Sequence, residues 1–214
     1  PGVLYAAVSV EGTLTIPAAA PAGGVQIDLF LQDTDSYSWS EITVDIPEGE
    51  SAAGFALSNT FTNAQVRYYC WSSTCGDLNI YPVGYLASTG TSHKQVDARV
   101  FTGTNTGVNI SLPLGYRVLG QVKLPGSDTA ATDISIDVNA SDNDFYAVSD
   151  TQYIPAGGSA VAYSLLLPPA ATQQWVVEYV ITSGGQNKYF HTGYYHNDGL
   201  SSTYIYASAQ RLFG

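Results

Sequence analysis

A chain of 214 residues, 45% of them hydrophobic, is long enough for one large or two modest domains with real cores. Only 12% of its residues are charged and the net charge is −11 with seven Lys and Arg, whereas duplex binding needs clustered cations to displace counterions, so nucleic acid is excluded as a partner. No window approaches the ~20 apolar residues of a membrane-spanning helix, so no membrane span is expected.

The first residues, "PGVLYAAVSV", alternate Val3, Tyr5 and Ala7 with Leu4, Ala6 and Val8, and both sets are apolar. A strand apolar on both faces is normally buried on both. Residues 1–10 are therefore expected to form an N-terminal strand that needs a partner, with Val3, Leu4, Tyr5 and Val8 as its contact residues. Three placements are open. The strand packs on its own domain, or it completes another molecule, or the 214 residues are one stretch of a longer repeat chain. Because Pro1 is not a translation start, the chain is expected to be a processed form or a piece of a longer one.

Next come Val25, Ile27, Leu29 and Leu31, then Ile42, Val44 and Ile46, each set with the period of two that marks a half-buried strand. "IPEGE" supplies Pro and Gly punctuation between strands. "YYCWSSTCGD" holds the only two cysteines, Cys70 and Cys75, spaced for a disulfide across a strand-connecting turn. Such a bond persists in oxidising, extracellular surroundings. "TGVNISL" at residues 106–112 reads as one more strand.

The pattern then recurs. "EGTLTIP" ending at Pro17 matches "LGQVKLP" ending at Pro125, 108 residues later, and "DIPEGESAAGFAL" matches "YIPAGGSAVAYSL" at the same offset. "VQIDLFLQDTDSY" matches "ISIDVNASDNDFY", and "PVGYLASTG" matches "HTGYYHNDG". Repeats of this size with short alternating strands predict an all-β chain of two tandem antiparallel β-sandwiches. Residues 11–114 are expected to be the first sandwich and residues 115–214 the second, which ends at "SAQRLFG" without a counterpart of "TGVNISL".

The order G-x-V-x-L-P, apolar alternation, I-P-x-G-x-S, G-Y-Y and V-N-I-S-L resembles a repeat module of secreted bacterial surface proteins. Those modules look related to carboxypeptidase-regulatory-like, or transthyretin-like, sandwiches of immunoglobulin-like build. The resemblance covers nearly the whole chain twice over. It implies a secreted or cell-surface location and a structural or adhesive role.

Catalytic motifs are missing: the sequence has no G-x-S-x-G elbow, no H-E-x-x-H, no P-loop and no G-x-G-x-x-G after a strand, so no enzyme and no obligatory cofactor are expected. Asp33 and Asp35 in "DTD" and Asp142 and Asp144 in "DND" are candidate Ca²⁺ ligands, although acidic residues also suit any turn. The aromatic residues Trp71, Tyr81, Tyr85, Tyr194 and Tyr195 are candidate platforms for sugar rings, against the alternative of cross-strand packing. Asn109 and Asn139 stand in glycosylation sequons. The expected function is a structural subunit that self-associates head to tail into a homopolymer by β-strand donation. The alternative is a carbohydrate-binding or adhesive module pair, with glycans as partners.

Overall fold

The structure is a computed structural model that describes residues 7–36, 38–70, 73–141, 146–168, 174–184, 192–195, 202–203 and 212–213. It is all-β apart from short helical turns, and the chain divides into two compact units, Pro1–Gly115 and Tyr116–Gly214.

In the first unit the strands are β1 (Val8–Thr15), β2 (Val25–Asp33), β3 (Trp39–Ile46), β4 (Ala52–Asn59), β5 (Ala64–Tyr69), β6 (Val83–Leu86), β7 (Thr91–Ser92), β8 (Val100–Phe101) and β9 (Thr104–Ser111), with helix α1 (Ser73–Asp77) between β5 and β6. One sheet runs β4–β1–β9, and the other runs β3–β2–β5–β6–β7 with β8 paired to β5. Alternation sets the layering. Val25, Ile27, Leu29 and Leu31 of β2 point inward, as do Leu14 of β1 and Ile110 of β9, and residues of both sheets share one apolar core. Two packed sheets around one core make a β-sandwich.

Two features differ from the sequence-based expectation. The pairing of β1 with β9 is parallel, whereas β1 pairs β4 antiparallel; side-chain alternation has the same period in both cases and does not distinguish them. In addition, β1 begins at Val8. Val8 and Val10 are fully buried and stand opposite Asn59 and Leu57 of β4. Val8 is thus a core residue of its own unit, which corrects its assignment to a detachable strand. Residues 1–6, with Val3, Leu4 and Tyr5, lie outside the described residues.

In the second unit the strands are β10 (Tyr116–Lys123), β11 (Ile134–Ser141), β12 (Tyr146–Ile154), β13 (Ala160–Leu167), β14 (Gln174–Ser183), β15 (Thr192–Tyr195), β16 (Ser202–Thr203) and β17 (Leu212–Phe213). Here one sheet is β10–β13 and the other is β12–β11–β14–β15–β16, with β17 paired to β14. The pairings follow the same order as in the first unit, strand for strand, through β17. Even the turns agree: Glu50 N–H donates to Pro47 O over Gly49 at φ 82°, and Gly158 N–H donates to Pro155 O over Gly157 at φ 81°. The third position of such a turn requires positive φ, which is why both copies place glycine there. The core of this unit gathers Ile134, Ile136, Val138, Leu165, Leu167 and Trp175.

Candidate strand-acceptor edge

The difference between the units lies at one strand edge. In the first unit β1 is the middle strand, with β4 on one side and β9 on the other. In the second, β10 pairs with β13, and among the described residues nothing pairs with its other edge. The two strands correspond residue by residue, because Gly12 stands opposite Phe55 and Gly120 stands opposite Tyr163, each in an unbroken antiparallel ladder.

Burial differs at the matched positions. Val8, Val10 and Leu14 are all 0% exposed; their counterparts are Tyr116, 50% exposed, and Val118 and Val122, both half-buried. An apolar side chain that points toward a core yet keeps part of its surface in water forgoes part of the ~25 cal/mol per Å² that burial supplies. The same strand carries Leu119 at 71% exposure, pointing to the opposite face. Arg117 and Lys123 also point outward, and Arg117 Nη1 donates to Ser164 Oγ at 2.8 Å. Charges of this kind blunt an exposed edge against indiscriminate pairing. They leave the inward apolar row incompletely buried.

One glycine marks how closely a neighbour approaches. A Cβ on Gly12 would run into the backbone carbonyl of Val108, where the β1–β9 register shifts between Val10 and Gly12. Only glycine admits β9 at that distance. On the same side of Gly120 a Cβ would run into the ring of Tyr163 instead. Side chain stands in the second unit where backbone stands in the first.

Among the described residues, the other sequence-predicted residues are not drawn together at this edge. Cys70, at the end of β5, and Cys75, in α1, are joined by a disulfide with Cα atoms 6.3 Å apart. Helix α1, which carries Cys75, has no alternating or helical signal of its own in five residues. Asp33 closes the β2–β3 turn. Its carboxylate accepts from the Ser36 hydroxyl and from the backbone N–H groups of Ser36, at 3.1 Å, and Asp35, at 3.4 Å. The Ser36 hydroxyl bond, ahead of the backbone bonds, holds the Asp33 carboxyl below its ordinary value. Asp35 is exposed beside it, and among the described residues no three His, Cys, Asp or Glu side chains gather as a metal site. Asp142 and Asp144 lie outside the described residues.

Of the aromatic candidates, Tyr81 is buried at 1% exposure and offers no open ring face, which removes it as a sugar platform. Tyr85 is half-buried, with the Arg67 guanidinium 5.9 Å from its ring centroid and 5.7 Å from that of Tyr69. Trp71 lies outside the described residues, as do the side chains of Tyr194 and Tyr195. Asn109 is exposed on β9, whereas Asn139 is 3% exposed on β11. A glycan on Asn139 is incompatible with that packing, because β11 is covered on both faces.

No known protein-family profile matches the chain, and no curated protein matches it. Solved structures similar to it include a DUF3823 family protein from Bacteroides uniformis, at 8% identity over 92% of this chain and 95% of that one, with a TM-score of 0.26. A candidate adhesin from Bacteroides ovatus aligns at 7% identity over 86% and 81%, TM-score 0.34. The tip fimbrial protein Mfa3 from Porphyromonas gingivalis, with a C-terminal truncation, aligns at 11% identity over 83% and 79%, TM-score 0.30. At these scores the likeness carries no argument about activity, partner or assembly.

Proposed function

We propose that the chain is a non-enzymatic extracellular structural protein, a duplicated module whose copies join head to tail by β-strand donation into a filament or surface layer. The observation that carries this is the incompletely buried inward row of β10, Tyr116, Val118 and Val122, whose counterparts in the first unit are fully buried on a strand that also pairs with β9. A strand added there restores main-chain hydrogen bonds along one edge and burial along one face, and alternating side chains give it specificity. The contact is heterologous, donor on one copy and acceptor on the next, so it propagates and does not close. The disulfide Cys70–Cys75 supports an oxidising, extracellular setting.

Sedimentation and negative-stain imaging of the purified chain of residues 1–214 over rising concentration test the reading. Concentration-dependent fibres without added ligand are the expected result. A chain that stays monomeric and binds glycans would overturn it in favour of the carbohydrate-binding alternative.

A further inference from the structure

We infer that the strand taken up by β10 is residues 2–7 of another copy, lying parallel to β10 with Val3 beside Gly120, Leu4 beside Gln121 and Tyr5 beside Val122. This rests on the strand-donation reading above and adds the occupant, its direction and its register.

The first unit shows what the seat requires. Its occupant β9 turns through Gly107 at φ 67°, then buries Val108 and Ile110 and, just beyond the strand, Leu112, while Asn109 and Ser111 face water. Residues 1–7, "PGVLYAA", reproduce residues 106–112, "TGVNISL", in that grammar. Gly2 falls on Gly107 and Val3 on Val108, both identities; Tyr5 falls on Ile110 and Ala7 on Leu112, so each inward position stays apolar.

Chain order agrees. Residues 106–112 are followed, after residues 113–115, by β10, and residues 1–7 are followed directly by β1. A β9-like segment precedes the first strand of a sandwich in both places. The order of elements across two copies then repeats the order within one, without a counterpart of residues 113–115.

The register follows from the ladder of β1 with β9, in which Gly12 stands opposite Val108, Thr13 opposite Asn109, Leu14 opposite Ile110 and Thr15 opposite Ser111. Transferred to the second unit, these pairs become Gly120 with Val3, Gln121 with Leu4, Val122 with Tyr5 and Lys123 with Ala6. The substitutions compensate one another. On the inward face the pair Leu14 and Ile110 becomes the smaller Val122 with the larger Tyr5, the kind of volume-conserving exchange a packed core tolerates. Outward, the polar pair Thr13 and Asn109 becomes Gln121 and Leu4. Seating Val3 beside Gly120 also requires the Tyr163 ring to leave the position that the Val108 carbonyl holds in the first unit. Tyr163 is half-buried, and a side chain moves from such a place far more readily than backbone does.

The test uses the full chain carrying Val3→Asp and Tyr5→Asp, which leaves β1 intact, titrated with fluorescent peptides of sequence PGVLYAA and TGVNISL. Saturable binding of both is expected. Binding of TGVNISL without PGVLYAA overturns this inference and leaves the acceptor edge standing; binding of neither brings down strand donation itself. Register is read by mixing full chains bearing Leu4→Cys with full chains bearing Gln121→Cys or Arg117→Cys under mild oxidation. A cross-link to position 121 and none to 117 is expected, since bridged Cα atoms must lie within about 7 Å. The reverse result overturns the parallel register.

Discussion

β1 and β10 are the same strand in two settings. Each ladders onto its antiparallel partner without a slip, and each carries the same alternation and the same central glycine. β1 lies between two neighbours and its inward side chains are dry, whereas β10 has one described neighbour and its inward side chains are only partly buried. What differs is not the strand's own sequence pattern but the occupant of one edge. A residue's burial is therefore a property of the ladder it joins. Val122 reads as an incompletely buried residue in β10 alone and as a contact residue once a second edge partner is allowed.

The largest expected effect comes from breaking the glycine pair. Gly12→Ala forces a Cβ against the Val108 backbone and should destabilise the first unit by about 3 kcal/mol, as overpacking does when the obstacle cannot turn aside. Gly120→Ala meets a rotatable tyrosine and should cost the second unit about 1 kcal/mol or less while blocking strand uptake. Denaturant unfolding of both variants, with imaging of Gly120→Ala for fibres, reads the contrast. Equal destabilisation would show that the two edges are alike.

Reduction of Cys70–Cys75 separates the units next. Both cysteines belong to the first unit and the second contains none, so reduction should lower the first unit's stability by about 2 kcal/mol and leave the second unmoved. Calorimetry with and without reductant gives the answer, and a parallel fall in both units would contradict their independence.

Alkaline titration should expose a third difference. Burial, and next the neighbouring Tyr81, push the Tyr68 hydroxyl up, and burial, and next Tyr69, push up that of Tyr81. Their folded-state pKa values are raised, so the stability they contribute is complete below the unfolded value near 10.0 and declines as pH rises beyond it. Tyrosinate absorbance should therefore show two tyrosines of the first unit ionising only as that unit unfolds; full ionisation in the folded chain would contradict their burial.

The smallest effect concerns the β2–β3 turn. Asp33 has a depressed folded-state pKa, so its contribution is present above the ordinary carboxylate value and is lost as pH falls through the folded one. Ser36→Ala should raise the Asp33 pKa toward 3.8, measured by NMR titration. Calcium should leave the melting temperature unchanged, because the Asp33 oxygens already serve the turn; a rise on adding Ca²⁺ would reinstate the metal reading.

Much of this was legible in the residues. Alternation located β2, β3 and β11, and the matching of "IPEGE" with "IPAGG" located two equivalent turns. Other features were hidden for physical reasons. The parallel direction of β9 leaves no mark on a period of two. Val8 reads as a tail residue because its neighbours Ala6 and Ala7 are apolar as well, and only its ladder to Asn59 assigns it to the core. Tyr81 and Asn139 are polar-tipped residues enclosed by packing that no local pattern announces. Gly120 was visible as a repeat of Gly12, but the approach it permits appears only when the Val108 carbonyl is seen against Gly12.

The most direct test of the acceptor edge is to fill it from within the same chain. The sequence TGVNISL, joined after Gly214 through a flexible Gly/Ser linker, supplies the second unit with the strand the first already has. Sedimentation of this variant beside the parent should show a soluble monomer, with β10 amides protected from hydrogen exchange as β1 amides are. Fibres that form undiminished, with β10 amides still exchanging freely, would contradict the account.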